Sequence, residues 1–180
     1  VRKSVANHLN DISYIDQDLF FETLNRMGKT KKEQWIKRHA SRSLLKKGHP
    51  IALGLHGYPA DGKFNVQIKI KQNKIIEGES LDLYVSVKNN RQSKMKVLIE
   101  YRIHYLKKNG QYSIKPFRLR DTFLEKELMV EKKINFKKVT TRTHYTGKHF
   151  LDIQINGKVF KKVSFYLNLP MSAGSKISLA

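Results

Sequence analysis

Apolar positions recur with a period near 3.6 in the first third of the chain and with a period of 2 after it. Val1, Val5, Leu9 and Ile12 fall on one stripe of an amphipathic helix. Lys3, Asn7 and Asp11 form a polar row on the opposite side, with Asn10 beside it. Asp16 is placed to cap a second helix over roughly 17–27, with Leu19, Phe20, Leu24 and Met27 inward and Gly28 as its stop. Thr30 and Glu33 make a capping box that opens a third helix, about 31–47, ended by Gly48. Pro50 suits the first turn of a short fourth helix reaching His56. The first and third helices look like copies. Val1-Arg2-Lys3 recurs as Ile36-Lys37-Arg38, Leu9 as Leu44, and Lys3, Asn7 and Asp11 as Arg38, Arg42 and Lys46. A two-helix unit repeating at about 35 residues is the signature of a helical solenoid of the HEAT or TPR type, whose equivalent helices line one concave face. Two units bury little alone, and the first helix opens on Val1 with no cap before it, so the pattern predicts a fragment of a longer solenoid.

The turn formers Tyr58-Pro59-Ala60-Asp61-Gly62 mark a linker over 58–63. Beyond it, Phe64, Val66, Ile68 and Ile70 alternate with polar residues, and so do Leu81, Leu83, Val85 and Val87. Further strands are predicted over 97–106, 113–119, 127–136, 150–155 and 158–167. Asn109-Gly110 and Asn156-Gly157 are both signals for type I′ hairpins. Seven short strands in roughly 105 residues predict an antiparallel sandwich of immunoglobulin or fibronectin type. The fold class is therefore α + β in two domains: a HEAT-like solenoid fragment at 1–57, then an all-β immunoglobulin-like sandwich at 64–169. Residues 170–180, with Met171-Ser172-Ala173-Gly174-Ser175, read as a disordered tail.

Composition narrows the partners. The 180 residues carry 36 Lys and Arg against 15 Asp and Glu, a formal net charge of +21. Both the helical and the strand-rich parts are basic, which points to a polyanion, nucleic acid first and an anionic membrane second. No basic amphipathic helix with large exposed apolar residues supports the membrane, and no apolar run approaches the length of a span. Cysteine is absent. That excludes disulfides and thiolate zinc sites and favours a cytoplasmic setting.

The chemistry concentrates in a few places. Asp11 is the best candidate carboxylate. An acid at a helix C-terminus is mildly unfavourable with the dipole, and the alternative is an ordinary surface Asp. Trp35, the single tryptophan, projects near Arg38, His39, Arg42 and Lys46. It either packs against a neighbouring repeat or lines a DNA-facing groove. Arg38, Arg42 and Lys46 form a basic row that could follow phosphates or stay solvated. The segment 137–149 combines Arg142, His144, Tyr145, Lys148 and His149, either as a binding loop or as a structural corner. No carboxylate or cysteine joins the two histidines at metal-ligand spacing. No Gly-rich phosphate loop, nucleophile elbow or Ser–His–Asp pattern is present.

Val1-Arg2-Lys3-Ser4-Val5-Ala6-Asn7-His8-Leu9-Asn10-Asp11, Trp35-Ile36-Lys37-Arg38-His39-Ala40 and His49-Pro50-Ile51-Ala52-Leu53 resemble the last HEAT-like repeats of bacterial DNA alkylation repair proteins of the AlkC type. Thr140-Thr141-Arg142-Thr143-His144-Tyr145-Thr146-Gly147-Lys148-His149 and Ile155-Asn156-Gly157-Lys158 resemble the C-terminal immunoglobulin-like domain of that family. The resemblance runs almost to Leu167. It implies a DNA glycosylase that removes cationic N-alkylated bases such as 3-methyladenine from double-stranded DNA in base excision repair, without base flipping and without a metal or other cofactor. It maps one of the family's catalytic carboxylates onto Asp11. Lys3, Asn7, Arg38, Arg42, Lys46, Arg142, His144 and Lys148 become DNA contacts, and Trp35 and Tyr145 aromatic ones. The family's further N-terminal repeats supply other active-site residues, so this chain alone is expected to be inactive. The competing reading is a non-catalytic solenoid-plus-sandwich adaptor for nucleic acid or another polyanion. Which bases are excised, how the DNA is distorted and the oligomeric state are not legible in the sequence.

Overall fold

The computed structural model describes residues 1–140 and 142–170. The 171–180 part of the expected tail lies outside them. Among the described residues five helices come first: α1 (Arg2–Ile15), α2 (Gln17–Arg26), α3 (Lys31–Ala40), α4 (Arg42–Lys47) and α5 (Pro50–Leu55). Local chemistry sets their ends. The Leu19 N–H donates to Asp16 Oδ1 at 2.9 Å and starts α2. Thr30 and Glu33 close a reciprocal capping box that starts α3. Gly48, at φ 72°, ends α4 in the left-handed conformation.

Two helical expectations change. The third helix is divided at Ser41, whose ψ near 0° tilts the turn between α3 and α4. The buried stripe of α1 is rotated. Ala6, Leu9, Asn10 and Ser13 face inward, whereas Val1 and Val5 are exposed. Small residues let α1 approach its neighbours closely, and the Ser13 hydroxyl donates to Asn10 O at 2.6 Å, so it enters the interior already paired.

Eight strands follow among the described residues: β1 (Phe64–Ile70), β2 (Lys74–Ile76), β3 (Ser80–Asn89), β4 (Met95–Leu106), β5 (Tyr112–Leu124), β6 (Glu127–Asn135), β7 (Gly147–Ile155) and β8 (Lys158–Asn168). They form a three-stranded sheet, β1-β3-β6, and a five-stranded sheet, β2-β8-β7-β4-β5. Leu81, Leu83, Ile99, Ile103, Leu151 and Phe165 lie at the centre of the core between the sheets. The extra strand, β2, runs parallel to β8. At Asn156-Gly157 both residues have positive φ, as a type I′ turn requires. At Asn109-Gly110 only the glycine does. With Gly110 N donating to Lys107 O, and Lys107 N to Gln111 O, that turn is a type I turn closed by a glycine bulge.

Strand β4 is buried on both faces. Val97, Ile99, Tyr101, Ile103 and Tyr105 enter the sandwich core, while Leu98 on the outer face joins the helical core with Leu44, Leu45 and Tyr58. The segment between the helices and the strands is packed at both Tyr58 and Pro59. Tyr58 is 1% exposed and its hydroxyl donates to Asp121 Oδ1 at 2.6 Å. Pro59 O accepts from Asn156 Nδ2 at 2.9 Å. The helices therefore sit directly on the outer face of the larger sheet.

Candidate nucleic-acid interface

Where α3 and α4 meet the β4–β5 face, a cleft of about 500 Å³ opens. Trp35, Arg38, His39, Arg42 and Lys46 come from the helices, and Glu100 and Arg118 from the sheet. A second chamber of about 640 Å³ shares Lys46 and adds Tyr14, Lys47, Arg102, Lys115 and Arg142. The basic row expected on the third helix thus lines this cleft, although its members have different duties. Arg38 Nη2 donates to Asp121 Oδ2 at 2.7 Å, and its guanidinium lies 5.1 Å over the Tyr58 ring. Burial, reinforced by Asp121, pushes the Tyr58 hydroxyl up to about 12, so it remains a neutral donor. Arg38 therefore closes the helix–sheet junction, with most of its charge answered. Arg42 donates to His39 O at 2.9 Å and keeps its charge uncompensated; Lys46 is exposed.

Helices α1 and α3 pack against each other, and one polar contact between them involves the first row. Asn7 Oδ1 and His39 Nε2 are 3.3 Å apart. Desolvation first, then Arg42 and Lys3, holds the His39 imidazole below its ordinary value, as expected for a ring set among cations. Trp35 stacks on His39 at 4.8 Å, and the Arg2 guanidinium lies 4.2 Å over the indole. Two side chains of this chain already pack the indole, so only its border is offered to the cleft. Asp11 is exposed, one helical turn from Asn7 and from Tyr14.

The 137–149 segment splits in two. Arg142 projects over the Tyr105 ring at 4.0 Å and into the second chamber. Lys148 is exposed and lies over Phe150 at 5.6 Å. His144, expected at a DNA contact, is buried instead: it is 4% exposed, its Nδ1 is 2.9 Å from Glu77 Oε1, and it stacks on Tyr105. It ties the turn after β2 to the core. Tyr145 is half-buried, and its carbonyl accepts from His149 Nε2 at 3.0 Å. Among the described residues no cluster of three or more His, Asp, Glu or Cys side chains is placed to hold a metal.

The floor of the cleft is the part that sequence patterns missed. On the outer face of β4 and β7, Arg102 Nε and Nη2 donate to the two oxygens of Asp152 at 2.6 and 2.8 Å. His104 Nε2 donates to Asp152 Oδ2 at 2.7 Å. Arg102 Nη1 reaches Gln154 Oε1 at 3.1 Å, and Gln154 Nε2 reaches Glu100 Oε2 at 3.1 Å. This continuous chain runs from the buried His104 to the cleft. Burial would raise the Asp152 carboxyl, but the Arg102 and His104 bonds outweigh it and hold it below the usual carboxylate range. Glu100 goes the other way: burial dominates and pushes it up, against Gln154, Arg118, Lys46 and Arg102. The sequence signal was the run Glu100, Arg102, His104 at alternate positions of an otherwise apolar strand.

Comparison with known proteins places this arrangement. Residues 65–169 match the family described as uncharacterised protein YhaZ, C-terminal Ig-like domain. An uncharacterized protein, YhaZ of Bacillus subtilis (strain 168), is 39% identical over 169 residues, covering 92% of this chain and 47% of the relative. The Pseudomonas fluorescens alkylpurine DNA glycosylase AlkC, solved bound to DNA containing an abasic site analog, superposes with a TM-score of 0.89 at 30% identity, covering 93% of this chain and 48% of that one. The chain thus spans about half the length of each. With its sandwich matched nearly end to end, the chain belongs to the YhaZ C-terminal Ig-like domain family.

Proposed function

We propose that this chain is the C-terminal portion of a DNA glycosylase that binds duplex DNA carrying alkylated bases and hydrolyses the N-glycosidic bond of cationic bases of the 3-methyladenine type. The observation that carries the reading is the cleft. Arg42, Lys46, Lys47, Lys115, Arg118 and Arg142 line it, and among the described residues none of them is in an ion pair with a carboxylate. Uncompensated cations gathered between two packed layers suit a phosphodiester backbone. The likeness to a DNA-bound alkylpurine DNA glycosylase supports the choice of polyanion. The packing of α1 beside α3 as equivalent elements supports HEAT-like repeats.

An alkylated base is already cationic, so its glycosidic bond is weakened. Departure leaves positive charge on the sugar, as in glycoside hydrolysis. A fixed carboxylate at that place stabilises the charge and orients water. In this reading Asp11 supplies the carboxylate, the cations of the cleft hold the flanking phosphates, and the base need not leave the stack. The remainder of the active site comes from repeats outside this chain.

The test is release of free base from methylated duplex by the complete protein. Asp11→Asn should slow single-turnover excision by roughly 10²–10³ with little change in duplex affinity. An unchanged rate removes Asp11 from the mechanism. One observation favours a second reading, a binding module without catalysis: Asp11 stands exposed, whereas the cations are gathered in the cleft. No base release by the complete protein, with salt-dependent binding retained, would establish that alternative.

A further inference from the structure

We propose that the cleft between α3–α4 and the β4–β5 face takes one strand of nucleic acid lengthwise, with its bases toward the Glu100–Gln154 floor and its phosphates at the cationic rim. The inference rests on the preceding section only for the identity of the polyanion.

Three features of the cleft argue for a strand. It consists of two neighbouring chambers of about 500 and 640 Å³, each the size of a small-ligand pocket, that share Lys46 in their linings. Its walls also differ from its floor. Arg42, Lys46, Lys115 and Arg118 stand at the walls, whereas the floor holds Glu100, 5% exposed, hydrogen-bonded to Gln154, which is 2% exposed. When ionised, a carboxylate at the floor repels phosphate and accepts from the exocyclic amine of a base, cytosine N4 above all. Phosphates are thereby directed outward and base edges inward. Tyr14 supplies the stacking surface. It is 60% exposed in the second chamber, with Lys47 Nζ 4.8 Å over its ring. Cations along the backbone and an aromatic for the bases are the combination that binds single strands.

The test uses this chain with fluorescein-labelled dC12, dT12 and a 12-base-pair duplex, read by fluorescence anisotropy across a salt series. The chain should bind dC12 more tightly than dT12. Arg118→Ala should lower the log-affinity against log-salt slope for dC12 by about 0.7. Tyr14→Ala should weaken dC12 by roughly 5-fold or more, and Glu100→Gln should narrow the dC12 to dT12 preference. Arg118 and Tyr14 are exposed, so melting curves matching the parent's exclude a folding defect. If the duplex binds and dC12 does not, or if Arg118→Ala leaves the slope for dC12 unchanged, the strand path is wrong and the duplex-binding reading stands. If neither ligand binds, the strand path falls, and the duplex reading is decided by base release from the complete protein.

Discussion

Asp152 has no solvent-exposed surface, yet three donors from Arg102 and His104 converge on it. A carboxylate can only accept, so His104 Nε2 must carry the proton in that pair. Asp152→Asn removes the charge and leaves Arg102 without its countercharge in a largely dry layer. The expected loss is about 3–5 kcal/mol of unfolding free energy, measurable as a lower urea midpoint. A midpoint shift near zero would mean that water replaces the carboxylate. His56 sets a second residue-scale expectation. Desolvation, then Arg38, Lys96 and Lys37, lowers it from 6.5 to about 4. Its folded value lies below its unfolded one, so the unfolded chain binds more protons between those two values. Stability is full above pH 6.5 and falls as pH drops toward 4. His39 and His149 are lowered too and add to the same slope. His56→Gln should therefore reduce the slope of stability against pH in this window without abolishing it. An identical slope in the variant would show that His56 gains a charge in the folded protein.

Two glycines join the helical and sheet elements. Gly48 ends α4 at φ 72°, and Gly157 completes the β7–β8 turn at φ 80°. A Cβ on Gly48 would stand 2.6 Å from Gly157 Cα, and one on Gly157 would stand 2.6 Å from Gly48 O. Both obstacles are backbone and cannot step aside. Gly48→Ala combines left-handed strain of about 1–2 kcal/mol with that clash. Its thermal midpoint should fall by several degrees, and by more than that of Gly78→Ala, since Gly78 also has positive φ, at 105°, but has open space around it. Equal midpoints would mean that the helices do not dock through this contact. Each glycine was legible alone, one as a helix stop and one as a hairpin turn, because those signals are local. That they touch was not legible. The same holds for β2, three residues without alternation that become a strand only by pairing with β8. It holds again for the cleft floor, since Arg102 and Asp152 meet only through the β4–β7 register. The rotated stripe of α1 had a different cause: counting apolar residues misses Ala6 and Ser13, which are buried because they are small.

At the scale of the molecule, the charge of +21 suits the polyanionic partner proposed above, but only the packing says which cations remain free to meet it. In the sequence, Arg38 and Arg142 look equivalent, two arginines in basic stretches. In the structure Arg38 is bonded to Asp121 and packed over Tyr58, so a phosphate arriving there would have to compete with a carboxylate already in place. Arg142 has an aromatic partner, Tyr105, and among the described residues no carboxylate bonded to it, so it can displace counterions from DNA at full value. Duplex binding by this chain should therefore separate the two. Arg142→Ala should flatten the dependence of log affinity on log salt by about one, with the melting temperature held close to that of the parent. Arg38→Ala should leave that slope almost unchanged and instead lower the melting temperature, because the buried end of Tyr58 and the Asp121 carboxylate lose their shared partner. The reverse outcome, a flattened slope from Arg38→Ala and none from Arg142→Ala, would mean that the junction opens on DNA and that Arg38 leaves Asp121 to reach the backbone.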